Sequence, residues 1–126
     1  IKYSILTALI IFYSRIGIHK DEIINRLKLK IDYTPFQKFN TTCKETVNNC
    51  IYALFTSNSF EETIKKVISF GGDTDTNACI VGSMAEALYG IDNQLIERAK
   101  TKIPSEFVSV IDKMYKKIVI EDDLEK

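Results

Sequence analysis

The sequence has one histidine, and its three cysteines show no C-x-x-C spacing. With His19 alone, beside a turn at Gly17, a triad built on an imidazole base has no candidate, and His19 reads as a surface residue. Cys43, Cys50 and Cys79 are odd in number and fall on faces that read as apolar and helical. Buried free thiols in a reducing, cytoplasmic compartment are the expectation, and zinc would need more soft ligands. Neither sign of charge is in excess, with 17 basic and 17 acidic residues spread along the chain. That excludes the electrostatic footprint of a nucleic-acid or anionic-membrane binder. The apolar run ILTALIIFY, residues 5–13, is too short to span a bilayer. Lys2 before it imitates a signal peptide only faintly, since no small-x-small cleavage site follows. Strand patterns of comparable strength, internal repeats and low-complexity segments are missing as well.

What is present is helical. At 126 residues, 45% hydrophobic and 27% charged, the chain suits a single helical domain over 1–126 with a modest core. A first helix is expected over 2–15, apolar nearly all round and so central, ended by Gly17. In HKDEIINRLKLKI, Ile23, Ile24, Leu27 and Ile31 recur at helical spacing, with Asp21 and Glu22 in the favourable first turn, predicting a surface helix. DYTPFQKFNTT, residues 32–42, reads as a loop pinned by Tyr33, Phe36 and Phe39. Thr41 or Thr42 is placed to cap a third helix through Val47, Ile51, Leu54 and Phe55. Ser59 with Glu62 makes a capping box for a fourth over 60–70. A fifth helix carries Ala78, Gly82, Ala85 and Ala87, small enough for a neighbour to approach closely, and is expected to be the most buried after the first. Gly90 stops it. Pro104 heads a last helix with the apolar stripe Phe107, Val110, Ile111, Met114, Tyr115 and Ile118. The tail EDDLEK reads as a solvated acidic end.

One run organises the rest: GGDTDTNACIVGSMAEALYG, residues 71–90. Gly71 and Gly72 permit backbone angles closed to other residues, so the chain can turn sharply and leave an open face above Asp73. Asp73, Thr74, Asp75 and Thr76 then alternate carboxylate and hydroxyl where a helix start leaves N–H groups unpaired and favours negative charge. Such a cluster suits a well-capped helix. It also suits a hard cation such as Mg²⁺, which takes about six oxygen ligands, of which Asp73, Asp75 and Thr76 could supply three.

GGDTDTNA followed by a small-residue helix ending in ALYG resembles the C-terminal signature of the ADP-ribosylglycohydrolase family, whose members remove ADP-ribose from modified targets. SFEETIKKVISFGGDTDT looks like that family's helix leading into its metal turn, and IPSEFVSVIDKMYKKI like its closing helix. With TTCKETV and the first helix, the resemblance covers essentially the whole chain, as the C-terminal half of such a protein. It implies an all-α orthogonal bundle of about six or seven helices. It also implies a binuclear Mg²⁺ site, Mn²⁺ in some members, with Asp73, Asp75 and Thr76 as the C-terminal ligands. Gly71 and Gly72 would form the turn that substrate approaches. ADP-ribose or an ADP-ribosylated acceptor would be the substrate, its ribose hydroxyls and a water oriented by the ions.

The pattern is incomplete. The family's N-terminal glycine-aspartate motif, its Thr-Asp-Asp cluster and its proposed catalytic acid have no match in residues 1–70, so the catalytic residues stay unassigned. TTCKETVNNC also lacks the family's glutamine and proline. Asp21 with Glu22 and Glu61 with Glu62 sit in first helical turns, where dipole compensation accounts for them. Two Mg²⁺ ions need about twelve ligands, beyond what residues 73–76 hold. The chain starts at Ile1, and the expectation is a C-terminal portion whose N-terminal half is missing, cleaved or supplied by another chain, inactive alone. The alternative is a non-catalytic relic or binding module of the same fold.

Overall fold

The capping signals turn into helix ends where a side chain can reach a free N–H. Ser59 Oγ accepts the Glu62 N–H at 3.1 Å, and Glu62 Oε2 accepts the Asn58 N–H at 2.9 Å. The expected box therefore forms, with its return bond one residue early. The computed structural model describes residues 1–35, 37 and 42–124, with side chains as far as residue 118. Phe36, Phe39 and Thr41, and the side chains of the acidic tail, lie outside that range. Seven helices and no strand occur among the described residues: α1 (Lys2–Arg15), α2 (Lys20–Leu27), α3 (Cys43–Phe55), α4 (Phe60–Ser69), α5 (Thr74–Tyr89), α6 (Asn93–Lys100) and α7 (Ser105–Leu124). None is long and apolar enough to cross a membrane. The chain divides into two compact units, Ile1–Gly90 and Ile91–Lys126.

In the first unit the core is built on α3. It buries Val47, Cys50, Ile51, Ala53, Leu54 and Phe55, whereas α1 buries only Ile10 and Ser14. The sequence pointed to α1 and α5 as the most buried, and packing decides otherwise. α1, α4 and α5 all pack on α3. The apolar residues of α1 go round the whole helix, so some must face outward, among them Ile5 and Phe12. α5 adds Val81, Met84 and Ala85, and α2, expected on the surface, still sends Ile23 fully inside. Each large aliphatic side chain buried this way contributes about 1.5–3 kcal/mol. Gly82 lets α4 approach α5 closely: a β-carbon there would stand 3.6 Å from Ile64 Cδ1.

The C-terminal end of α3 is closed by long-range donors. Tyr89 Oη lies 2.7 Å from the Leu54 carbonyl and 2.6 Å from that of Ser57. Lys66 Nζ donates to the Thr56 carbonyl at 2.6 Å, and Lys20 Nζ to the Ser57 carbonyl at 3.2 Å. These groups satisfy carbonyls that a helix end leaves without partners, with positive charge where the dipole is negative. At the other end, Thr42 occupies the capping position but its hydroxyl does not cap.

The second unit contains a helix the apolar pattern did not signal. α6 buries no residue, and Asp92 Oδ1 accepts the Gln94 N–H at 2.8 Å to start it. Local capping starts it, and Leu95, Ile96 and Ala99 give it one short apolar side. Lys100 Nζ ties it to α7 through Asp112 at 3.0 Å. The expected stripe on α7 is exposed: Phe107, Val110, Met114, Tyr115 and Ile118 all stand largely in solvent.

Candidate functional site

The turn before α5 has the backbone that its two glycines permit. Gly71 has φ +74° and Gly72 φ +73°, in the left-handed region that residues with a β-carbon resist. The Thr74 N–H closes back on the Gly72 carbonyl at 3.0 Å, and Asp73 becomes the residue before the helix, its carbonyl accepting the Asn77 N–H at 3.0 Å. Asp75 and Thr76 then fall in the first turn of α5.

Asp73 and Asp75 stand two residues apart at the helix start. Asp75 is held below the usual carboxylate range, first by its hydrogen bond with the Asp73 carboxyl, then by the backbone N–H groups of Thr76 and of Asp75 itself. Hard oxygen donors at a helix N-terminus, without a thiol or imidazole among them, suit Mg²⁺ or Mn²⁺ in kind. In number they fall short of a closed site: among the described residues no group of three or more His, Cys, Asp or Glu gathers.

Asp73 and Thr76 open onto a cavity of about 560 Å³. Its other walls are Tyr3, Ser4 and Thr7 from α1, Cys43, Thr46 and Val47 from α3, and Ile80 one turn further along α5. The sequence reading missed the α1 hydroxyls, and no local signal marks them, because only the packing of α1 beside α3 and α5 brings them to the turn. Cys43 is exposed and so is Cys79, against the expectation that all three thiols are buried. Cys43 lies at the cavity wall and Cys79 on the surface of α5, so apolar neighbours in sequence do not imply burial. Only Cys50 behaves as expected. Its Sγ donates to the Asn77 carbonyl at 3.5 Å, and burial, partly offset by the Val81 backbone N–H, pushes the thiol up to about 12. That bond joins α3 to α5 one turn below Asp73. Asn77 itself is buried, with its Oδ1 lacking a partner among the described residues.

An all-helical architecture is what the sequence resemblance implied. The family model for ADP-ribosylglycohydrolase matches residues 15–125, and the chain belongs to that family. No curated protein and no solved structure matches it significantly.

Proposed function

We propose that residues 71–76 are the C-terminal half of a metal-dependent site for hydrolysing ADP-ribosyl bonds. The observation behind this reading is the left-handed Gly71–Gly72 turn that sets Asp73, Asp75 and Thr76 at the start of α5, with Asp73 and Thr76 lining a cavity. Asp73, Asp75 and the Thr76 hydroxyl would hold Mg²⁺ or Mn²⁺. Bound there, the cation would orient ribose hydroxyls and a water and offset charge developing at the scissile bond. Gly71 and Gly72 carry no side chain between substrate and turn, and Tyr3, Ser4 and Thr7 offer a ring and hydroxyls to the ribose. The remaining ligands, and the general acid or base the chemistry requires, would come from water, substrate and groups outside residues 71–76.

A structural or binding module of the same fold is the second reading. It is favoured by the absence, among the described residues, of any three-member cluster of His, Cys, Asp or Glu.

Activity measurements separate the two. Purified residues 1–126 should release no ADP-ribose from mono-ADP-ribosylated arginine or serine substrates with Mg²⁺ or Mn²⁺. An N-terminal half from a family member, fused or added in trans, should restore turnover, and Asp75→Ala should abolish it. Metal-dependent turnover by residues 1–126 alone would overturn the half-site reading. Absence of recovery with several such halves would favour the module.

A further inference from the structure

We infer, on the reading of residues 71–76 as a metal half-site, that Asn77 is a positioning residue of that site. Its side-chain oxygen accepts a hydrogen bond from a water in the shell of the cation held at Asp73.

Asn77 is 6% exposed, and its buried Oδ1 has no hydrogen-bond partner among the described residues. An acceptor left so costs about 1–3 kcal/mol. Asparagine is a poor helix former as well, so its presence inside α5 is unfavourable twice over. A buried polar atom without a partner in the fold points to a water or an ion that completes it. The other such atom among those described, Ser57 Oγ, lies past the end of α3, whereas the cavity at Asp73 touches the start of that helix through Cys43.

Helix geometry directs the Asn77 side chain to the turn. Its backbone is held on two sides: the N–H donates to the Asp73 carbonyl at 3.0 Å, and the carbonyl accepts the Cys50 thiol at 3.5 Å. Residues four apart share one side of a helix, with β-carbons about 5–6 Å from each other, and a helical side chain leans back over the turn before it. For Asn77 that turn opens with Asp73. A single water bridges polar groups across such a span. Asp73 and Thr76 line the cavity and Asn77 does not, which leaves Asn77 on the interior side of the same turn.

The chemistry suits an amide. Mg²⁺ and Mn²⁺ held by a few protein oxygens keep waters in their shells, and those waters donate strongly to a neutral carbonyl oxygen. A carboxylate in the same buried place would be an uncompensated charge whenever the cation was absent. Groups that orient the ligands of a metal in this way change its affinity by about tenfold or more.

The test is titration of the 126-residue chain with Mn²⁺, followed by the paramagnetic resonance signal of the free ion, with melting temperatures in chelator measured on the same samples. Asn77→Leu should melt at or above the parent in chelator, because the unpartnered acceptor is gone, and should bind Mn²⁺ about tenfold more weakly. Asn77→Asp should melt below the parent in chelator, and a given Mn²⁺ concentration should raise its melting temperature by more than it raises the parent's. A merely structural asparagine would lose stability in both variants and leave Mn²⁺ affinity unmoved. Parent-like affinity in Asn77→Leu, a large drop in its melting temperature in chelator, or no extra gain from Mn²⁺ in Asn77→Asp would each overturn the role of Asn77 and leave the half-site standing. Failure of the parent to bind Mn²⁺, or binding that survives the double variant Asp73→Ala, Asp75→Ala, would overturn both.

Discussion

The Tyr89 hydroxyl, on the last residue of α5, lies 2.6 Å from the carbonyl of Ser57, just past the end of α3. Because the Leu54 carbonyl is also within reach at 2.7 Å, one phenol serves both acceptors. Tyr89→Phe removes the donor without removing the ring, and should cost about 1–2 kcal/mol. The same group sets an alkaline limit. Burial first, and the charge of Glu62 second, push Tyr89 from its ordinary 10.0 up to about 12. The fold thus favours the neutral phenol. Its stabilising contribution is complete below pH 10 and is lost as pH rises from 10 through 12. Cys50, raised from 9.0 to about 12, adds to the decline from pH 9 upward. Unfolding free energies from urea melts at pH 8 to 12 should fall for the parent and fall less between 10 and 12 for Tyr89→Phe.

Valine at Gly71 or Gly72 should destabilise the turn by about 1–2 kcal/mol, the usual cost of left-handed backbone for a residue with a β-carbon. At Gly71 the penalty is conformational rather than steric, since a β-carbon would sit 3.8 Å from the Gln37 carbonyl oxygen. Asparagine, which tolerates this region, should lose less than valine there. Melting temperatures of the three variants at neutral pH check this, and an unchanged Gly71→Val would contradict the turn geometry.

Gly82 behaves in the opposite way. Its β-carbon position is 3.6 Å from Ile64 Cδ1, ordinary contact, and its φ is negative. Gly82→Ala should therefore stabilise α5 by about 0.5–1 kcal/mol, the helix-interior difference between the two residues. Gly82→Leu should destabilise it by forcing α4 away. Denaturant midpoints that move in the same direction for both would contradict this packing.

Mn²⁺ or Mg²⁺ should bind residues 1–126 weakly, because Asp73, Asp75 and Thr76 offer about half of an octahedral shell. Calorimetry should give dissociation constants well above micromolar, and the double variant Asp73→Ala, Asp75→Ala should abolish the heat. Sub-micromolar affinity would require ligands elsewhere in the chain, and unaltered binding by the double variant would remove the turn from consideration.

The legible parts of this chain are those written in neighbouring residues. The Ser59 and Glu62 pair fixed the start of α4, the paired glycines fixed the turn, and alternating oxygens after them marked Asp73 and Asp75. Burial was not written locally. Ile5 and Phe12 look as apolar as Ile10, yet which of them faces α3 depends on how α1 is rotated about its axis. Cys43 and Cys50 are seven residues apart on one helix, and only the latter lies under the Asn77 carbonyl. The walls of the cavity at Asp73 were illegible for the same reason, because Tyr3 and Thr46 meet the turn only after three helices have packed. α6 was missed although Leu95, Ile96 and Ala99 fall on one helical side, because eight residues give that pattern little length and the residues around them are polar.

The bond from Cys50 to the Asn77 carbonyl ties the first turn of α5, just after the partly exposed glycine turn, to the buried face of α3. Asn77 belongs to the same helix as the fully buried Val81, Met84 and Ala85. A ligand seated on Asp73 would therefore slow amide exchange deep in α3 and α5, where opening requires most of the fold to come apart. By mass action, occupancy at a hundred times the dissociation constant is worth about 2.7 kcal/mol. Deuterium uptake along α3 would then register occupancy of the turn even when no product is formed.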